Sequence, residues 1–261
     1  MSEFKRSLMA KYNRIAAEAQ EDNPRKIRYA LGYGDFTNYG YWTEDTETGE
    51  QACEALMERL MARIPEKRGT ILDVACGLGA TTRHLLRSYR AEDVTGINLA
   101  EAQIDYCRKA LPEVRFEVMK AEALAFEDAA FDNVICVEAA FHFETRLDFF
   151  REALRVLKPG GRLVLSDILA NVPAREQPLE NRIASFEQYR EVFASAGFEA
   201  VETEDATQQA VMRQTAVSWK RLQALRAQGE IREAGFQEVK RSFVSRRNNM
   251  TYVLASGVKP G

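Results

Sequence analysis

The stretch Thr70-Ile-Leu-Asp-Val-Ala-Cys-Gly-Leu-Gly-Ala-Thr-Thr-Arg-His-Leu85 limits what this chain can fold into more than any other. Its first half is an apolar run ending in an acid, the pattern of a parallel strand buried on both faces, and its second half reads as helix after two glycines. Gly77 and Gly79 allow the backbone to turn sharply and to approach a ligand where a Cβ would collide. Asp73, at the carboxyl end of the strand, points into the crevice where open α/β sheets bind ligands, and a carboxylate there suits an amino group or a ribose hydroxyl. Strand, glycine turn and helix in succession predict a nucleotide pocket. The dinucleotide fingerprint G-x-G-x-x-G/A would need glycine at Ala75 and an acid about 20 residues on, where Asn98 stands, so that reading is weakened.

The flanking chain repeats the strand–helix theme. Strands are expected at 70–75, 93–99, 114–119, 131–137, 162–168, 200–204 and 250–255, with helices over 79–89, 100–111, 147–157, 186–197 and 208–228. Thr145-Arg-Leu-Asp148 and Ser185-Phe-Glu-Gln188 read as capping boxes, and Lys158-Pro-Gly-Gly161 as a helix stop. Strands alternating with helices argue a mostly parallel, doubly wound α/β sheet of seven strands. A further helix from about Thr48 to Ile64, stopped by Pro65, precedes it.

Ahead of that helix, Phe4, Leu8, Tyr12, Ile15 and Ala19 have helical spacing, and Asn23-Pro24 opens a second short helix to about Leu31. These helices are expected to form a lid, residues 1–45, over a domain spanning 46–261. Between them lies Gly32-Tyr-Gly-Asp-Phe-Thr-Asn-Tyr-Gly-Tyr-Trp42, too rich in glycine for a helix and too aromatic for an idle linker. Tyr39, Tyr41 and Trp42 suit the edge of a partly apolar site, where rings cover a ligand and their polar tips bond its ends. The same rings equally suit pinning the lid to the core.

With 261 residues, 46% of them hydrophobic, the chain can bury one substantial core. A net charge of −3 offers no field to attract nucleic acid or an anionic membrane, which leaves a small-molecule partner as the expectation and a homo-oligomer open. Cys53, Cys76, Cys107 and Cys136 are too dispersed for a metal knuckle or a compact disulfide framework and read as buried reduced thiols. No apolar run approaches the ~20 residues of a membrane span, and the N-terminus lacks the apolar core of a signal peptide, so a cytoplasmic location is expected.

Asp73-x-Ala-Cys-Gly77-x-Gly79, Gly96-Ile-Asn-Leu-Ala-Glu-Ala-Gln103, Leu154-Arg-Val-Leu-Lys-Pro-Gly-Gly161 and a terminal strand with Tyr252 follow one another in the order and spacing of class I S-adenosylmethionine (SAM) methyltransferases. The chain resembles that family over roughly residues 32–260. Asn38-Tyr-Gly-Tyr-Trp42 and Val137-Glu-Ala-Ala-Phe-His142 look like the subset acting on phthiotriol-type lipids, rebeccamycin-type sugars and tocopherols. The resemblance implies a Rossmann-like fold and SAM as cofactor, held by Tyr41, Asp73, Ala75, Gly77, Gly79, Asn98, Leu99, Gln103, Ala121, Glu122 and Val137. Asn98 and Gln103 would share the ribose diol, since two amides donate and accept without charge. Relatives read the adenine amino group with an aspartate after the third strand. This chain has Lys120 there, a donor only, so that contact is lost or passes to backbone or Glu122. The Asn/Asp-Pro-Pro-aromatic motif of nucleobase methyltransferases is missing after strand four, which disfavours nucleobase methylation.

His142, one of two histidines, stands just past the fourth strand. An imidazole with an unperturbed pKa of about 6.5 can take a hydroxyl proton as the oxygen attacks a sulfonium methyl, and related sugar and tocopherol methyltransferases resemble this chain in having histidine at the motif position. The alternative is that it caps a helix or shapes the pocket. His84, inside the first helix, reads as structural. Glu138 would act at the cofactor's methionine portion or the substrate, with Glu144 an alternative base. Tyr39, Trp42 and Phe141 would contact substrate, Phe143 is pocket wall or core, and Phe149 and Phe150 are core. Arg246-Arg247 reads as a solvated pair. No metal ligands are expected. The expected reaction is methyl transfer from SAM to a hydroxyl oxygen of a lipid, polyketide or sugar. The alternatives are carbon methylation of an alkene such as a prenyl diphosphate, with Glu138 taking the final proton, and a SAM-binding protein that does not catalyse.

Overall fold

Seven strands form one sheet: β1 (Ile71–Val74), β2 (Val94–Asn98), β3 (Arg115–Val118), β4 (Phe131–Val137), β5 (Leu157–Ala170), β6 (Glu199–Asp205) and β7 (Met250–Val258), in the spatial order β3-β2-β1-β4-β5-β7-β6. The first five run parallel to their neighbours, and β7 runs antiparallel to β5 and β6. Around the sheet lie α1 (Gly49–Met61), α2 (Ala80–Leu85), α3 (Glu101–Ala110), α4 (Arg146–Val156), α5 (Phe186–Ala196) and α6 (Gln214–Ala227). The structure, a computed structural model, describes residues 6–7, 9–10, 12–13, 28–170, 179–233, 235–237, 239–241 and 250–261.

Every residue of β1 is buried, because it pairs with β2 on one side and β4 on the other. The chain winds outward from β1 to β3 and then returns to start again at β4. That reversal leaves a crevice at the carboxyl ends of β1 and β4, where a doubly wound sheet binds its ligand. Two apolar layers cover the sheet. One includes Leu56, Leu60, Ile104 and Tyr252, and the other Phe149, Phe150, Tyr189 and Phe193. Phe149 and Phe150 are fully buried, as the helical spacing of α4 predicts.

Local signals set the helix starts. Thr48 and Gln51 form a complete capping box on α1, Thr145 accepts from the Asp148 N–H on α4, and Ser185 accepts from the Gln188 N–H on α5. Gly197 ends α5 in the left-handed conformation, as a C-terminal glycine does. His84 is buried in α2 with Nε2 2.8 Å from Glu58 Oε1, which ties α2 to α1. All four cysteines are buried and unbridged.

Three boundaries differ from expectation. The Lys158-Pro-Gly-Gly161 segment is part of β5 rather than a break before it, because Lys158 Nζ reaches Asp132 Oδ2 at 2.7 Å and the Gly160 N–H donates to Lys259 O at 3.0 Å. The expected helix over 208–228 opens as a π turn, Gln208–Arg213, before α6 begins. The helix expected over 79–89 is regular only across α2, and the chain beyond it closes tighter i→i+3 bonds from Arg87 and Ser88. Phe4, Leu8, Ile15, Ala19, Asn23-Pro24 and Arg246-Arg247 lie outside the described residues. Among those described, no helix is long and apolar enough to cross a membrane.

Residues 32–42 form a strap laid across α1 and the carboxyl ends of β1 and β4. Tyr41 N–H donates to Ala52 O at 2.7 Å, Gly40 N–H to Asn38 Oδ1 at 3.0 Å, and Trp42 Nε1–H to Tyr39 O at 2.8 Å. Gly40 has φ +77°, and a Cβ there would stand 2.6 Å from the Ala52 Cβ and 2.9 Å from the Cys53 nitrogen. Both the conformation and the contact demand glycine. Gly40→Ala is expected to lower the unfolding free energy by about 2–4 kcal/mol, read as a lower urea midpoint.

Candidate active site

The crevice opens into a cleft of about 780 Å³, its mouth included, floored by the turn after β1 and walled by the segments that follow β2, β3 and β4. Of the residues singled out by sequence, Ala75, Gly77, Asn98, Leu99, Gln103, Ala121, Glu122, Val137, Glu138, His142 and Phe143 line it.

The floor departs from ordinary backbone. Ala75 has φ +61°, Gly77 +58° and Gly79 +78°. A Cβ on Gly79 would stand 3.1 Å from Cys107 Sγ, so α3 packs close behind the turn. Asp73 sits just behind this floor. Its Oδ2 accepts from Thr81 Oγ1 at 2.8 Å and Thr82 Oγ1 at 2.6 Å, which fastens the end of β1 to the first turn of α2. Its other oxygen, Oδ1, is buried without a hydrogen-bond partner. Burial raises the Asp73 pKa to about 6, against the opposing pull of the two threonine hydroxyls.

On the β2 side, Asn98 Nδ2 donates to Gln103 Oε1 at 2.6 Å and Asn98 Oδ1 accepts from the Leu99 N–H at 2.8 Å. This leaves Gln103 Nε2 as a buried donor without a partner, on a residue that lines the cleft. Beyond β3, Met119, Ala121 and Glu122 continue the wall, while Lys120 is exposed. Glu122 Oε1 accepts from the Glu144 N–H at 2.7 Å.

β4 ends in a second sharp departure. Glu138 has φ +53°, its N–H donates to Ser166 O at 2.9 Å, and its two carboxylate oxygens accept from the Tyr39 N–H at 2.8 and 3.0 Å. The strap is thus fastened to the cleft. A short 3₁₀ turn, Ala140–His142, follows and presents His142 to the cleft. The His142 ring lies 3.8 Å, centroid to centroid, from Phe141, and Tyr12 meets it edge-on at 5.9 Å. Removal from water and the nearby Glu138 carboxylate hold the Tyr12 phenol well above its ordinary pKa.

Other sequence candidates are placed around the cleft rather than on it. Tyr39 packs near Tyr252, with ring centroids 6.4 Å apart. Tyr41 lies under the Arg59 guanidinium at 4.9 Å, and Trp42, 2% exposed, meets Tyr33 edge-on in the core. Phe141 packs on His142 behind the lining. Conversely, Met9, Thr37, Ile97 and Met119 line the cleft without having drawn notice in the sequence. Thr37 lay in view, in the strap, but the surrounding aromatics carried the stronger signal. A Cβ on Gly77 would stand 3.3 Å from Thr37 Oγ1, so the strap rests on the glycine turn.

Known proteins agree with this architecture. Residues 72–165 match the family model described as a methyltransferase domain. The chain is 32% identical to 27-O-demethylrifamycin SV methyltransferase of Amycolatopsis mediterranei, over 87% of this chain and 91% of that protein. It is 28% identical to erythromycin 3''-O-methyltransferase of Saccharopolyspora erythraea, over 87% of this chain and 85% of that one. Among solved structures, a putative sarcosine dimethylglycine methyltransferase from Galdieria sulphuraria superposes with a TM-score of 0.77 at 18% identity, covering 92% of this chain and 98% of its own, a likeness of fold. With a relative of such identity matched along nearly its whole length, the chain belongs to the class I SAM-dependent small-molecule methyltransferases, and SAM is its cofactor.

Proposed function

We propose that the chain transfers a methyl group to a hydroxyl oxygen of a small natural-product-like metabolite, with His142 as general base. The observation that carries this reading is the placement of His142 on the cleft wall just past β4, on a short turn that begins at the buried Ala140. The relatives named above, which act on oxygens by their names, support the choice of acceptor.

The residues around the cleft fit the cofactor. Gln103 Nε2, a buried donor without a protein partner, suits a ribose oxygen, and the turn at Ala75 and Gly77 allows close backbone approach. Leu99, Met119, Ala121 and Val137 offer apolar contact. Asp73 Oδ1, buried and unpartnered, suits the ammonium of the methionine portion. Glu122, engaged by the Glu144 N–H, orders the rim. When bound, SAM supplies a methyl group on a positively charged sulfur, an electrophile that needs an aligned nucleophile more than it needs activation.

The chain's own contribution is alignment and proton removal. The substrate hydroxyl gives its proton to the His142 imidazole as the oxygen gains the methyl group, so no alkoxide has to form in advance. Met9, Tyr12 and Thr37 line the cleft from the N-terminal side, which supports residues 1–45 as a cover and 46–261 as the catalytic domain. Glu138, with both oxygens on the Tyr39 N–H, serves in this reading to fasten the strap; Tyr39, Tyr41, Trp42 and Phe141 then shape the site from behind.

Carbon methylation of an alkene such as a prenyl diphosphate is a second reading, favoured by the Glu138 carboxylate and the Phe143 ring both facing the cleft. Incubation with deuteromethyl-labelled SAM, hydroxylated metabolites and prenyl diphosphates, with and without chelator, is expected to place label on oxygen, insensitive to chelator. Label on carbon would replace His142 by Glu138 as the proton acceptor.

His142→Ala is expected to leave SAM affinity intact and to lower kcat by roughly 10²- to 10⁴-fold; an unchanged rate would remove it from the mechanism. Asp73 yields a pH prediction. Its pKa of about 6 in the fold exceeds the ~3.9 of a free aspartate, so the folded state holds this proton more tightly. The contribution is fully present below about pH 4 and is lost as pH rises toward 6. Asp73→Asn is expected to flatten the fall in Tm of the cofactor-free protein across that window and to weaken SAM binding at neutral pH by about tenfold or more. Parallel Tm profiles for the two proteins would refute the assignment.

A further inference from the structure

The 3₁₀ turn that carries His142 is only three residues long, Ala140–His142, and follows a left-handed Glu138. So short a turn has little stability of its own, yet it must hold an imaginary line from imidazole to acceptor within a fraction of an ångström. Its backbone is held by side chains that do not line the cleft.

Asp167, on β5, is completely buried, and its Oδ1 accepts from the Phe141 N–H at 3.1 Å. Asn181 Nδ2 donates to Ala140 O and to Phe143 O, each at 2.9 Å. The backbone is therefore held immediately before and immediately after His142. Arg146 links the two anchors. Its Nε donates to Asp167 Oδ2 at 2.6 Å, its Nη1 to Asn181 O, its Nη2 to Ile168 O at 2.8 Å, and its own N–H to Asn181 Oδ1 at 2.7 Å. Tyr189 on α5 completes the set by donating to Asp167 Oδ2 at 2.9 Å.

The placement of Arg146 is informative. It is the first residue of α4, where a cation opposes the helix dipole, and it is 1% exposed, where a guanidinium loses its hydration. Replacing such a buried ion pair by apolar side chains is often neutral or stabilising, so stability alone does not call for it. The geometry points to another purpose: we propose that Arg146, Asp167 and Asn181 form a positioning network that sets the His142 imidazole against the cleft, although none of the three lines it. This rests on the reading of His142 as the base; the network's hold on the turn is testable apart from it.

The chain has only two histidines, so their side-chain ¹³Cε1–¹H signals form a simple spectrum, and His142→Ala assigns them. The Phe141 ring, 3.8 Å from the His142 ring, makes the His142 signal sensitive to small displacements through its ring current. His84, bonded to Glu58 on the far side of the glycine turn, is the internal control. Asn181→Ala is expected to move the His142 signal and leave His84 in place. It should also lower kcat by roughly 10- to 100-fold with SAM affinity unchanged, and this loss should vanish in the His142→Ala background. An unmoved His142 signal, signals that shift together, or a kcat loss additive with His142→Ala would overturn the network. If Asn181→Ala does not fold, Tyr189→Phe removes one hydroxyl from Asp167 and is read in the same way, with a smaller shift. A fully active His142→Ala would refute the base assignment alone, because the two signals would still report whether the network holds the turn.

Discussion

Two parallel strands that stop side by side, β1 and β4, must each send the chain out of the sheet without colliding with the other. Both do so through residues at positive φ that are not glycine, Ala75 at +61° and Glu138 at +53°. Such conformations cost of order 1–3 kcal/mol each for a residue with a Cβ and persist only where surrounding contacts enforce them. The enforcement is visible on both sides. Cys76 N–H bonds Ile97 O beneath the first turn, and Glu138 N–H bonds Ser166 O beneath the second. The two departures splay apart, and the cleft is the space they leave.

The strap depends on that opening. Its Thr37 rests against Gly77, and its Tyr39 N–H sits on the Glu138 carboxylate, so one loop touches both departures. It is also bonded outward, through Tyr106 Oη to Asp35 Oδ2 at 2.9 Å and Gln214 Nε2 to Tyr33 Oη at 2.8 Å. α3 and α6 thereby help to hold the cleft, though neither belongs to the strap's own stretch of sequence. This is a mechanical reason for the glycines at 32, 34 and 40, all at positive φ. The loop must follow two fixed surfaces at once.

Periodicity and caps made the sheet and most helices legible, because the physics that starts a helix at Thr48, Thr145 or Ser185 acts within a few residues. The turn residues of the cleft, from Ala75 to His142, were legible for the same reason: each follows directly from the end of a strand. Side chains brought from a distance were not. Tyr12 meets His142 from 130 positions away in the sequence, and nothing in its helical spacing shows which face meets the cleft. Tyr41 and Trp42 are amphipathic rings that fit a core or a rim equally well, and the bonds that place them, Tyr41 N–H to Ala52 O on α1 and Trp42 Nε1–H to Tyr39 O within the strap, are not visible in the spacing. Lys158-Pro-Gly-Gly161 reads as a break locally, and becomes strand because Lys259 pairs with Gly160 and Gly161 and the Lys158 side chain is held by Asp132.

Two buried aspartates show how the same fold treats a carboxylate in different ways. Asp167 has a guanidinium, a phenol and two backbone N–H groups around it, so every bond it loses to water is replaced. Asp73 is as deeply buried, but it has two hydroxyls on one oxygen and nothing on the other. The first arrangement suits a scaffold, since a charge satisfied from all sides has one preferred geometry. The second leaves a carboxylate whose charged form is unfavourable while one of its oxygens has no donor. The incomplete site lies under the glycine turn and the complete one behind His142. The chain is therefore fully bonded behind the turn that carries His142 and one donor short beneath the glycine turn.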